Sequence, residues 1–137
     1  MSDTGSVERK KEVPSMDQWL KEAKEDKRST ECGMYLFHNG VVRKSAKAKA
    51  RMNGEAQPVT GMLFSSNKEK ISAAIEETCK MPGIHYVRVW LNEGRLEVGD
   101  DIMLVLVGGD IRPHVVDALE ALVGELKENC ITETELF

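Results

Sequence analysis

The chain has 137 residues, of which 41% are hydrophobic and 31% charged, with a formal net charge of −4. That length suits one domain with its own core, and the composition excludes wholesale disorder. The small negative charge excludes a protein whose whole surface attracts nucleic acid. The longest strictly apolar run, residues 102–107, is far shorter than the ~20 residues of a membrane helix. Residues 1–13 are polar, without an apolar face or a leader-like apolar core, and read as a disordered tail ahead of a domain over 14–137. The three cysteines, Cys32, Cys79 and Cys130, form no CxxC pair and suit a reducing cytoplasm.

Ser15 is placed to cap a short helix whose apolar stripe is Met16, Trp19, Leu20 and Ala23. Residues 33–43 (GMYLFHNGVVR), apolar on both faces, predict a strand at the centre of its sheet. Residues 44–57 predict a long flexible loop, and 59–65 a second strand. Asn67 caps a helix that turns Ile71, Ala74, Ile75, Thr78 and Cys79 inward and ends at Pro82-Gly83. Residues 85–91 alternate as a strand, with turns at 92–94 and at Gly99-Asp100. Residues 102–107 form the next strand. The helix over 113–128 has the clearest period, with Val115, Val116, Leu119, Leu122, Val123 and Leu126 inward. Residues 130–137 read as an edge strand or a loose tail. The order predicts an α+β single domain, helices packed on a mixed or antiparallel sheet.

Five cations and no acid fall within residues 43–51: Arg43, Lys44, Lys47, Lys49 and Arg51. Such a cluster suits an anionic ligand, although a solvated basic loop is the commoner reading. No aromatic residue is interleaved, which disfavours nucleic acid. Residues 108–113 (GGDIRP) lead into a helix N-terminus where backbone amides and Arg112 can hold an anion, a weak signal by itself. Lys127 falls about 20° outside the apolar stripe of its helix. There it either snorkels to solvent, the usual outcome, or is poised as an anion clamp or nucleophile. The histidines His38, His85 and His114 show no metal-ligand spacing. Cys130, three residues after Lys127, can carry a persulfide, but a lone intracellular cysteine is more often inert.

Three of these segments together resemble the large, catalytic subunit of molybdopterin synthase, the MoaE family. Gly33, Gly40, Val42 and Arg43 are similar to its G-x-x-x-x-x-x-G-x-V-R strand. Gly94, Leu96, Gly99 and Asp100 are similar to its G-x-L-x-x-G-[DE] turn, and residues 107–112 with Leu126-Lys127 to its arginine loop and L-K motif. The resemblance implies the MoaE-like α/β hammerhead fold and no cofactor. It implies a small ubiquitin-like partner whose C-terminal Gly-Gly thiocarboxylate donates sulfur to a pterin phosphate, cyclic pyranopterin monophosphate. It also implies a homodimer in which two chains contribute to each pocket. Lys127 is then the catalytic residue, and Arg43, Arg112, Lys44 and Lys47 bind substrate. Two positions depart from the family pattern: Ile111 stands for a histidine, and Thr134 falls about where a second lysine is usual. These departures leave a second reading, a non-catalytic paralogue that binds the small subunit or a pterin.

Overall fold

The computed structural model describes residues 12–45 and 58–137. The first helix, α1 (Met16–Glu25), starts where Ser15 Oγ accepts a hydrogen bond from the Gln18 amide at 3.1 Å. That side-chain bond satisfies a helix-end donor that has no intrahelical partner. Asn67 does the same for α2 (Lys68–Cys79), accepting from the Lys70 amide at 3.0 Å. The third helix, α3 (Arg112–Glu125), carries its proline in the first turn, where no amide hydrogen is needed.

Among the described residues, six strands divide between two sheets, a split with no local mark in the sequence. One sheet contains β1 (Met34–Val41), β3 (Ile84–Leu91) and β5 (Asp101–Gly109), in the order β1-β5-β3. The other contains β2 (Gly61–Ser66), β4 (Gly94–Glu97) and β6 (Ile131–Leu136), in the order β4-β2-β6. All neighbouring strands are antiparallel. The segment expected as a turn at 94–100 thus holds a strand, β4, which leaves the β3–β5 hairpin to pair with β2.

The centre of the first sheet is β5, not β1. Met103 to Val107 on β5 are each at most 1% exposed. Their side chains alternate between two cores. Met103, Val105 and Val107 face α2, α3 and the second sheet, while Leu104 and Leu106 face Trp19 and Ala23 of α1. Because both sheet faces are covered, β1 is apolar on both sides while remaining an edge in its hydrogen bonding.

Two inward faces also differ in detail. On α2, Ala74 and Thr78 are buried, but Cys79 is exposed. On α3 the buried stripe is Val115, Ala118 and Leu122, and Val116 is 40% exposed. Residues 126–128, expected as continued α-helix, belong instead to one π-helical turn, Leu126–Cys130, which delivers the chain into β6 at the edge of the second sheet.

Candidate functional site

A cleft of about 630 Å³ opens where the end of β1 meets the π-helical turn and β6. Strand alternation puts His38, Gly40 and Val42 on its floor, and Arg43 follows at its rim. The pairing of β1 with β5 slips here: Gly40 is opposite Met103, but Val41 is opposite Asp101. Such a bulge re-aims the chain, and consecutive residues 41–43 all line the cleft. The Arg43 side chain is steadied by its Nε donating to the Ser45 carbonyl at 3.1 Å.

Lys127 reaches the same cleft from the π-helical turn. Leu126 and Cys130, both buried, anchor the two ends of that turn, and the Ile131 amide closes it on the Leu126 carbonyl. A π turn is wider than an α turn and often marks a functional position. The Lys127 side chain is 36% exposed, with Nζ 3.6 Å from Oε2 of Glu133, itself only 12% exposed. Glu135, two residues further along β6, lines the cleft as well.

His38 is the cleft residue that sequence reasoning passed over. Its Nε2 is buried, with no hydrogen-bond partner among the described residues. Burial, and secondly the charge of Lys127, hold its pKa below the ordinary 6.5, so the ring is neutral near pH 7. Gly40 keeps the space beside it open: a β-carbon there would lie 3.7 Å from that nitrogen.

The structure therefore brings Arg43 and Lys127 together, from positions 84 residues apart in the chain. The other expected site residues lie elsewhere. Lys44 is exposed next to Arg43, and its carbonyl accepts from the Val59 amide at 2.8 Å. Lys47 lies outside the described residues, as does the rest of the basic segment from 46. Arg112 is exposed in the first turn of α3, beyond the opposite end of β1, whose eight residues span about 25 Å. Beside it, Asp110 accepts from the Ile111 amide at 2.6 Å and from His114 Nδ1 at 2.8 Å. A carboxylate of the chain itself thus occupies this helix start. The His114 contact, ahead of the backbone one, holds the Asp110 carboxyl below its usual pKa.

Thr134 and Ile111 also face away from the cleft. Thr134 is exposed on β6 and lines a shallow surface with Leu63 and Arg95. Alternation hands the cleft positions on β6 to Glu133 and Glu135 instead. Ile111 is 53% exposed. Cys130 is buried, and burial pushes its thiol pKa up, which disfavours a reactive thiolate. Among the described residues, no group of His, Cys, Asp and Glu is arranged to hold a metal ion. No described helix is long and apolar enough to cross a membrane.

The family model described as MoaE protein matches residues 10–129. Among solved structures, molybdopterin synthase from Staphylococcus aureus aligns with a TM-score of 0.70 at 18% identity, over 90% of this chain and 85% of that one. The molybdopterin biosynthesis MoaE protein from Burkholderia ambifaria MC40-6 aligns with a TM-score of 0.68 at 16% identity, over 91% and 84%. A complex of subunits 1 and 2 of the molybdopterin-converting factor from Helicobacter pylori 26695 contributes a chain with a TM-score of 0.63 at 16% identity, over 89% and 78%. No curated protein matches the chain. At these identities the structural likeness establishes the fold.

Proposed function

The chain belongs to the MoaE protein family, and from that premise we propose that it works in molybdenum cofactor biosynthesis as the large subunit of a molybdopterin synthase. It takes the thiocarboxylated Gly-Gly tail of a small ubiquitin-like subunit and transfers the sulfur to cyclic pyranopterin monophosphate. The observation that carries this reading is the convergence of Arg43 and Lys127 on one cleft. A guanidinium fork suits a phosphate, and an ammonium stabilises the negative charge that develops on the thiocarboxylate carbonyl oxygen as sulfur is passed on. Lys44, and Lys47 four residues after Arg43 in the sequence, add positive charge that draws the anionic substrate in. Complex formation between the two subunits in the Helicobacter pylori protein supports a small partner for this chain.

Arg112 lies too far from the cleft of its own protomer to share a ligand with Lys127. A homodimer in which each site takes Arg112 from the second chain reconciles the two. The free thiols Cys32, Cys79 and Cys130 support a reducing, cytoplasmic setting.

The test is to mix the protein with a thiocarboxylated small subunit and cyclic pyranopterin monophosphate and follow dithiolene product by mass spectrometry. Product formation supports the synthase. A stable complex with the small subunit and no product supports the second reading, a paralogue that binds without turnover. Glu133 and Glu135 favour that alternative, since two carboxylates on the cleft wall oppose an anionic tail.

A further inference from the structure

We propose that His38 is the general base that activates the water releasing sulfur from the small subunit. The inference rests on the sulfur-transfer reading of the cleft and assigns it a residue that reading does not use. Once the thiocarboxylate sulfur has displaced an oxygen substituent from a pterin carbon, the new carbon–sulfur bond replacing the carbon–oxygen bond, it is still bonded to the acyl carbon of the tail. Transfer is finished only when that acyl–sulfur bond is hydrolysed. The water oxygen bonds to the acyl carbon, the carbon–sulfur bond breaks, and the electron pair leaves with sulfur. One water proton passes to His38 Nε2 and from there to the departing sulfur, while the other stays on the new carboxyl group. The products are a carboxylic acid and a thiol, with no oxidant or reductant required.

The geometry fits this role. His38 Nε2 is buried in the cleft wall with no partner among the described residues, and an unsatisfied buried nitrogen is costly unless a ligand or water completes it. Among the described residues, the charged groups sharing the cleft are Arg43 after β1, Lys127 in the π-helical turn, and Glu133 and Glu135 on β6; Met62 of β2 and Ile102 of β5 carry none. Burial first, and then the Lys127 charge, disfavour the protonated imidazole, which keeps the ring a base at neutral pH. The same ammonium is placed to hold the oxyanion formed when water adds.

The test uses His38→Phe and His38→Gln in single-turnover reactions with the thiocarboxylated small subunit and cyclic pyranopterin monophosphate, followed by intact-protein mass spectrometry. The expected result is a covalent small-subunit–pterin adduct that forms at the wild-type rate and persists, its release slowed by about 10²- to 10⁴-fold. Wild-type release falls on acidification through the His38 pKa, and the variants lose that dependence. Release at the wild-type rate in both variants overturns the assignment and leaves the sulfur-transfer reading intact. Equal losses of adduct formation and release also overturn it, placing His38 in binding or folding. A wild-type protein that forms neither adduct nor product overturns the sulfur-transfer reading and this inference with it.

Discussion

Lys127 Nζ sits 3.6 Å from Glu133 Oε2 across the cleft that Arg43 rims. The lysine is thus held by a carboxylate before any anion arrives. An incoming anion must share or displace that contact. Glu133 orients the ammonium and competes with the ligand for it at the same time.

Glu133→Gln removes the competition and keeps the shape. An ion pair with one partner this exposed is worth about 0–1 kcal/mol, so affinity for the unmodified Gly-Gly tail rises by up to about five-fold. Isothermal titration calorimetry with the small subunit measures it. Unchanged or weaker binding would show that Glu133 does not oppose the tail.

A lysine restored at position 134 points away from the cleft. Thr134→Lys therefore leaves sulfur transfer where it was, whereas Glu135→Lys adds a cation to the cleft wall and tightens binding of the anionic precursor. Equilibrium dialysis with cyclic pyranopterin monophosphate separates the two. The opposite ranking would mean that β6 pairs with β2 in a register shifted by one residue.

If each site draws Lys127 from one protomer and Arg112 from the other, two inactive variants complement one another. Lys127→Ala and Arg112→Ala, refolded together, form mixed dimers in which one of the two sites is intact. Random assortment restores about a quarter of wild-type activity. No recovery on mixing, with dimers verified by light scattering, removes the shared site.

His38 makes stability depend on pH. Its folded pKa is lower than its ordinary 6.5, so below that value the unfolded chain binds more protons than the native one. This contribution is present in full above about pH 6.5 and is lost as pH falls toward the folded pKa. Asp110, whose carboxyl pKa is also lowered, has the same sign of protonation change but in a separate window, below its usual 3.8. Urea midpoints at pH 7 and about pH 5 should fall more for wild type than for His38→Phe. Equal falls in the two proteins would exclude the imidazole as the cause.

Gly83 stands at φ 77°, and a β-carbon there would meet Asp110 Oδ1 at 2.2 Å and His114 Nδ1 at 2.5 Å. Gly83→Ala therefore both strains the backbone and forces apart the Asp110–His114 pair. A loss of about 1–3 kcal/mol is expected from equilibrium denaturation. A neutral substitution would show that this corner is not fixed.

The parts of the fold set by local chemistry were legible in the sequence. Ser15 and Asn67 cap the helices they were expected to cap, and the run at 102–107 is a fully buried strand. What escaped depends on contacts far apart in the chain. Whether β1 or β5 is central is decided by pairing, and two covered faces make an edge strand resemble a central one. The short strand β4 has only four residues and gains its partner, β2, from about 30 residues upstream. In the cleft, Arg43 and Lys127 were legible by type and position. His38 stands at no HxH or HExxH spacing from the other histidines, so nothing local marks it. Its significance comes from Lys127, 89 residues away, and no local pattern records that meeting.

Single-turnover sulfur transfer in wild type, Lys127→Ala and Arg43→Ala tests the central claim most directly, because these two residues define the cleft. With the thiocarboxylated small subunit and cyclic pyranopterin monophosphate, wild type should yield dithiolene product. Each variant should fall by about 10²-fold or more while still folding and binding the small subunit. Wild-type rates in both variants would contradict the assignment of sulfur transfer to this cleft.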